Sequence, residues 1–399
     1  MSDGGTTRYF AGLSRDTFLL ALASLFSDVS TEMLYPVLPV FLTQTLHASG
    51  SIVGLIDGFA QALQNIVQGF SGTLADRLRR RKPIALAGFL LSAISKPLMG
   101  LATAWPALFG VRLLDRLGAG TRSAPRDALI AASVSEENRG RAFGLEGAGD
   151  NAGAFLGPLV TVLLLYALAV DIRSVFYLAV IPGLLAFAMV FLVSERRTAV
   201  QADSKIDIGL RQFPRDYWKF LLVTALFGLG NSSNAFLILQ TQDIGASLPA
   251  TILIYAAYNL VAALISYPAG WLSDHWGRKD VLLICFLVFL IAYLGFALTR
   301  NVPLIATLFA FYGIYQGIFR AVGKAFAASF VPEQLRASGV GWFSSTVGLL
   351  QLVASVVAGV LWDRVAHQAV FYYGAFFAAV GTIALLLLIP RTRAAVRGD

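Results

Sequence analysis

The sequence predicts an all-α polytopic membrane protein, with 12 transmembrane helices in two pseudo-symmetric six-helix bundles. Three observations carry that expectation. The 399 residues are 57% hydrophobic and only 14% charged, with a mean hydropathy of +0.70, whereas ordinary soluble domains carry about 25% charge. Apolar runs recur from residue 17 to residue 390, each near the roughly 20 residues that cross about 30 Å of hydrocarbon. Two loop sequences also return at half the chain length.

The elements follow in order. In the second half, 220–242, 244–273, 281–299, 301–319, 337–362 and 365–390 carry no Asp, Glu, Lys or Arg, so each reads as one crossing. The first half divides at 17–45, 51–75, 83–103, 105–131, 141–169 and 174–194, with charges inside several runs. The long polar stretch 195–219 reads as a linker. The expected organisation is a cytoplasmic N-terminus (1–16), an N-terminal bundle (17–194), the linker, a C-terminal bundle (220–390) and a cytoplasmic tail (391–399).

Orientation follows from where Lys and Arg collect, because cytoplasmic loops hold the excess. The loop 76–82 has five, the loop near 122–141 four and the linker six, while the alternate loops have only Arg173, Arg300 and Arg364. Both termini are therefore expected on the cytoplasmic side of the inner (cytoplasmic) membrane. The polar first 16 residues lack the pattern of a cleaved signal peptide. These loops account for the net charge of +8 without nucleic acid as a partner.

Other function classes find little support. A single Cys285 and three His exclude an intrachain disulfide and argue against a metal centre. With no G-x-x-x-x-G-K-[ST] phosphate loop, neither a cofactor nor direct ATP drive is expected. Gly69, Phe70, Ser71 and Gly72 spell G-x-S-G, but a serine nucleophile needs a nearby His, and His47, His275 and His367 fall in loops. No enzymatic activity is expected.

The repeat has two parts. GTLADRLRRRK from Gly72 and GWLSDHWGRK from Gly270 are offset by 198 residues; EENRGRAFG from Glu136 and EQLRASGVG from Glu333 are offset by 197. Two six-helix halves share one orientation, so an axis along the membrane normal relates them. That is the parallel-repeat plan of one class of secondary transporters.

On these residues the chain resembles the major facilitator superfamily over essentially its whole length. The loop after the second span is similar to the family's G-x-L-x-D-R-x-G-R-R, with Gly72, Leu74, Asp76, Arg77, Arg80 and Arg81 in place. It departs at Arg79, where the family has Gly. The second copy has Gly270, Leu272, Asp274, Gly277, Arg278 and Lys279. The resemblance implies that Gly72, Asp76, Arg77, Arg80, Gly270, Asp274, Gly277 and Arg278 form breakable gating contacts at the cytoplasmic surface. In the fourth span Arg112, Gly118 and Gly120 resemble the family's R-x-x-x-G-x-G helix, with Arg116 in place of a Gly. In the fifth, Gly149, Gly153, Gly157 and Pro158 resemble the G-x-x-x-G-P signature of proton-driven exporters. That spacing itself predicts close helix packing and a Pro bend, and Gly50, Gly54 and Gly58 share the period. The family further implies a monomer in the lipid bilayer that moves a small-molecule substrate together with protons by alternating access.

An ionisable side chain in a span is costly unless paired or hydrated, so each is a functional candidate. Asp28 and Glu32 lie four residues apart on one face of the first span, just before Pro36 and Pro39. Counted at about 1.5 Å per residue, Glu32 and Arg116 lie at similar depth. If the first and fourth helices line the cavity, as the resemblance implies, Asp28, Glu32, Arg112, Asp115 and Arg116 are expected to form one ionic network.

Asp28, Glu32 and Asp150 are the candidate proton-coupling groups, with a permanent, purely structural salt bridge as the alternative; Asp57 is a weaker candidate. The candidate substrate cavity takes Arg112, Asp115 and Arg116 from the first half and Asn231, Asn234, Tyr258, Asn259, Tyr312 and Gln316 from the second. Two functions stay open at this point. One is proton-coupled export (antiport) of a small organic molecule. The other is proton-coupled uptake (symport) of an organic anion, motivated by Arg112, Arg116 and Arg320.

Overall fold

A computed structural model describes residues 13–78, 80–135, 138–194, 213–332 and 335–390, without the side chains of 72–74, 76–78 and 336–338. Residues 1–12, Arg79, 195–212 and the tail 391–399 lie outside the described set. The described helical segments group into twelve crossings. Eight are long and apolar enough to span a membrane unaided: Arg81–Leu101, Arg139–Ala167, Ile172–Phe191, Leu248–Trp276, Arg278–Leu298, Val302–Ser329, Gly339–Arg364 and His367–Leu388.

The other four are the first, second, fourth and seventh, and each is weakened by polar groups or a break. The first helix, Arg15–Glu32, stops and resumes only at Leu38–Val40 and Phe41–Thr45, because Pro36 and Pro39 cannot donate backbone hydrogen bonds. The second, Gly50–Leu78, carries Asp57. The fourth, Trp105–Ala132, carries Arg112, Asp115, Arg116, Arg122 and Arg126. The seventh is split into Arg215–Gly228 and Ala235–Asp243 around Asn231, Ser232, Ser233 and Asn234, whose side chains compete with the helical backbone for hydrogen bonds. At membrane depth such groups persist only where protein or a wet cavity satisfies them.

By contact the chain forms two compact units. One holds the described parts of Met1–Leu38 and Leu63–Ser204; the other holds those of Pro39–Ala62 and Lys205–Asp399. The first half of the second span thus joins the C-terminal residues, because its glycine ridge seats there. A Cβ on Gly50 would lie 2.5 Å from the Trp362 ring, and one on Gly58 3.0 Å from Leu352. Asp363 also accepts from the Gly50 N (2.8 Å), the Ser51 N (2.7 Å) and the Ser51 hydroxyl (2.5 Å), capping the start of this helix.

Within the N-terminal unit the third span packs on the fourth and sixth, and the first on the fifth and sixth. Within the C-terminal unit the ninth packs on the tenth and twelfth, and the seventh on the eleventh and twelfth. The repeat reaches single atoms. Lys82 Nζ donates to the Phe191 and Val193 carbonyls, both at 2.7 Å; Lys279 Nζ, 197 residues on, donates to the Leu386 carbonyl at 3.1 Å and to that of Ile389. A Cβ on Gly120 would lie 2.6 Å from the Gln64 carbonyl, and one on Gly317 2.6 Å from that of Ala262.

The cores differ in kind. Leu20, Ala23, Phe89, Ile130, Ala186 and Val190 form a mainly aliphatic cluster in the N-terminal unit. The C-terminal unit is built on ring contacts, with Phe227 and Phe286 stacked at 3.9 Å and Phe289 and Tyr293 at 4.0 Å.

Candidate transport site

The polar interior of the N-terminal unit is positioned by the fifth span. A Cβ on Gly149 would lie 2.6 Å from the Ala21 carbonyl, one on Gly153 2.5 Å from that of Leu25 and 2.8 Å from the Asp28 Cβ, and one on Gly157 2.8 Å from the Glu32 Cβ. The first helix is therefore seated turn by turn on this glycine ridge, and Thr161 fixes the end by donating to the Met33 carbonyl at 2.7 Å. Pro158 is buried beside the last glycine.

This register brings Asp150 to Asp28, whose carboxyl groups are hydrogen-bonded; Arg122 and Glu32 lie within electrostatic range of Asp28. Arg122 donates to the Ser27 hydroxyl and lies over the Phe89 ring, 4.6 Å from its centroid. One turn further along the fourth helix, Arg126 pairs with Glu146 (3.0 Å) and Asp127 (2.9 Å), and Ser24 donates to Glu146 at 2.9 Å. The sequence reading put Arg122 and Arg126 in a loop. They stand inside the fourth helix, where these carboxylates, hydroxyls and the ring offset the loss of water.

A second cluster centres on Asp115. It accepts from Arg116 Nη2 (2.8 Å), Arg112 Nη1 (3.2 Å), Lys96 Nζ (3.2 Å) and the Ser92 hydroxyl (2.7 Å), while Arg116 Nη1 reaches Gln64 at 2.9 Å. Lys96, Arg112 and Asp115 are at most 2% exposed. Of the five expected network members, Arg112, Asp115 and Arg116 meet directly with Lys96 as a further member, Asp28 turns to Asp150, and Arg122 interacts electrostatically with both Asp28 and Asp115 and so links the two groups. Lys96, Arg122, Arg126 and Glu146 were not among the sequence candidates.

The C-terminal unit supplies neutral partners. Tyr312 donates to the Asn234 side-chain oxygen at 2.8 Å, and the Asn234 amide donates to the Tyr258 hydroxyl at 3.3 Å. Asn231 lies in the break of the seventh span, and Asn231, Asn259 and Gln316 are half-buried. Asp57 accepts the hydroxyl proton of Ser233 in that same break.

Of the two repeated loop motifs, the first has Gly72, Asp76 and Arg77 in the second helix with their side chains outside the described set, and Arg80 exposed just before the third. In the second copy, Gly270 has open space around it and Gly277 has φ 99° between two helices, a conformation that costs glycine little. Asp274 and Arg278 are 3.7 Å apart, and Arg278 also donates to the Ala325 carbonyl at 2.9 Å. Ser71 uses its hydroxyl to donate to the Gly120 carbonyl at 3.0 Å, tying the second span to the fourth.

Comparison with known proteins agrees with this architecture. The family model described as Major Facilitator Superfamily matches residues 20–237 and 220–399. An uncharacterised MFS-type transporter of Methanocaldococcus jannaschii is 34% identical over 382 residues, covering 94% of this chain and 95% of its own. The multidrug resistance protein MdtH of Proteus mirabilis is 26% identical, with 83% and 82% covered. Among solved structures, a D-xylose–proton symporter superposes with a TM-score of 0.77 at 17% identity, over 94% of this chain and 98% of that one. The nucleoside transporter NupG does so with a TM-score of 0.76 at 17% identity and the same coverage. The chain is a multi-pass membrane protein that belongs to the major facilitator superfamily of transporters.

Proposed function

We propose that the chain is a proton-coupled exporter (antiporter) of a small organic molecule, acting as a monomer in the cytoplasmic membrane with both termini in the cytoplasm. The bundles 17–194 and 220–390 are its moving bodies, and Gly72, Asp76, Arg77, Arg80, Gly270, Asp274, Gly277 and Arg278 belong to its cytoplasmic gate. The observation that carries this reading is the Asp28–Asp150 pair. A hydrogen bond between two carboxyl groups needs a proton between them, because adjacent carboxylates repel.

Occupancy of the pair by a proton can alternate with substrate. One inward proton at 100 mV and one pH unit supplies about 3.7 kcal/mol, a gradient of roughly 500-fold. The MdtH relatives, named for multidrug resistance, favour the outward direction.

The test is lumenal pH in proteoliposomes under a preset proton gradient, with cationic, neutral and anionic compounds added in turn. Substrate-dependent collapse of the gradient, lost in Asp28→Asn and Asp150→Asn, is expected; flux without proton movement would overturn the coupling. A second reading, uptake of an organic anion by symport, draws on Lys96, Arg112 and Arg116 around a single carboxylate. It requires accumulation of an anion that Arg112→Gln abolishes.

A further inference from the structure

We propose that His367 is a proton sensor that latches the start of the second helix onto the C-terminal unit at the external face of the membrane. The inference goes beyond the transport reaction and rests on that reading for the cytoplasmic position of the termini and the movement of the bundles. The second helix begins at Gly50 after one crossing, Asp243 ends the seventh crossing and Arg364 the eleventh. Each point is an odd number of crossings from the N-terminus, so all three share the side opposite to it.

The contacts form a chain. His367 opens the twelfth helix, and its Nδ1 lies 2.9 Å from the Asp243 carboxylate at the end of the seventh. Its ring is stacked on the Trp362 indole, with centroids 4.0 Å apart and planes 9° from parallel. The Trp362 ring is the surface that a Cβ on Gly50 would meet. It also lies 5.7 Å from the Phe236 ring, whose tip would be 3.1 Å from a Cβ on Gly54. The neighbouring Asp363 takes the hydrogen bonds of Gly50 and Ser51. Trp362 thus shapes the seat of the second helix and Asp363 caps it. The second helix leaves the C-terminal unit after Ala62, so release of this seat frees its first half for the movement of the bundles proposed above.

Charge on the imidazole strengthens the chain at two points. Protonated, the ring is a cation facing a carboxylate and lying over an indole, which adds ion-pair and cation–π attraction. Neutral, it keeps only a hydrogen bond and a ring contact. The first turn of the twelfth helix carries no acid. The other charged or titratable groups at this end are Asp363 and Arg364 of the eleventh helix, Arg300 after the ninth and His47 before the second. Asp363 is engaged by the second helix, and Arg364, Arg300 and His47 are exposed, so the ion-pair partner of His367 is Asp243. The two side chains are 38% and 43% exposed and therefore meet the pH of the medium. The added attraction exists only when the latched ring is protonated. Acid therefore favours the latch, and the added hold is lost as the pH rises through the imidazole range.

The experiment is pulsed electron–electron resonance on the purified full-length chain in lipid nanodiscs. Spin labels are placed at Gln44→Cys, exposed near the end of the first span, and at Val365→Cys, exposed between the eleventh and twelfth. The buried Cys285 is left in place. Raising the pH from about 5.5 to about 8 is expected to lower the ratio of close to separated labels about threefold or more. His367→Gln is expected to remove that response, Asp243→Asn to at least halve it, and His367→Arg, a permanent cation, to hold the close population at both pH values. A response unchanged in His367→Gln would overturn the sensor, as would a single distance at both pH values in the parent. Asp28→Asn separates this device from antiport. A response that disappears in Asp28→Asn and persists in His367→Gln belongs to the Asp28–Asp150 pair, and the latch falls. A response carried by His367 in a chain that exchanges no protons would sink antiport and leave the latch.

Discussion

Set 197 residues apart, the register given by Lys82 with Lys279 and Gly120 with Gly317, the two units place different chemistry on one scaffold. Ser92, Lys96, Arg112, Asp115 and Arg122 in the N-terminal unit correspond to Phe289, Tyr293, Phe309, Tyr312 and Phe319 in the C-terminal unit. Where Lys96 meets Asp115 at 3.2 Å, the rings of Tyr293 and Tyr312 face each other at 6.0 Å. The fold itself therefore demands neither set. The helix crossings are held by glycines and capping lysines common to both units, which leaves the interior positions free to become ionic on one side and aromatic on the other. Ionic groups can carry protons; aromatic and amide groups can hold an organic body without titrating.

The sharpest way to break that comparison is at Asp115, because three cations share its carboxylate. Asp115→Asn leaves buried charge uncompensated, and loss of one partner of a buried ion pair costs about 3–5 kcal/mol. A large drop in unfolding temperature in detergent is expected, partly recovered by adding Lys96→Met. An Asp115→Asn protein as stable as the parent would mean that Lys96, Arg112 and Arg116 are hydrated in place.

Next in size is the glycine ridge. At Gly153 a larger side chain meets the Leu25 carbonyl and the Asp28 Cβ, and forcing volume into a packed contact typically costs about 1–3 kcal/mol. Gly153→Val is expected to lower stability and, by separating Asp28 from Asp150, to reduce proton exchange further than the stability loss alone explains. Gly58→Val, on the other ridge, is expected to lower stability while leaving the Asp28–Asp150 pair intact.

How far these features were legible in the sequence follows from the same residues. The crossings were readable because twenty apolar residues have one use in this composition, and the repeat because its loops keep their charges. The first, second, fourth and seventh spans gave the weakest hydropathy signal for the reason that makes them interesting, their polar groups and breaks. Asp28, Glu32 and Asp150 could be singled out, yet the pairing of Asp28 with Asp150 depends on a helix register that only the ridge 149–157 sets. Lys96 and Arg122 escaped because a lone cation in or near a span reads as a loop marker or a snorkelling side chain. The signal that would have found them was the 197-residue offset carried past the loops, where each faces an aromatic residue. Asp57 could not be assigned to the C-terminal unit from connectivity, since only the packing of Gly50, Gly54 and Gly58 sends it there.

A smaller effect sharpens what the units share. Lys82→Ala and Lys279→Ala each remove donors to two carbonyls at the end of a crossing, and hydrogen bonds from charged groups contribute about 1.5–3 kcal/mol each where buried. Lys279 is 8% exposed, whereas the contact of Lys82 with Phe191 is partly open to solvent. Comparable losses of about 1–2 kcal/mol are therefore expected, the larger at Lys279. Thermal unfolding of the two variants side by side reads this directly, and a loss confined to one of them would mean that the two caps are alike in geometry only.

The smallest effect lies at Tyr312, the position that matches Asp115. Tyr312→Phe deletes one hydroxyl donating to Asn234 and keeps the ring stack with Tyr258. Interhelical hydrogen bonds in membranes average about 0.6 kcal/mol, so stability should barely move, in contrast to Asp115→Asn. Asn234 then loses one of its two tyrosine partners, so a greater effect is expected on ligand affinity than on unfolding temperature. If Tyr312→Phe were as damaging to stability as Asp115→Asn, the aromatic interior would be as dependent on its polar contacts as the ionic one. The two units would then differ in residue type but not in how their interiors are held, and the division between proton carrier and substrate wall would lose its physical basis.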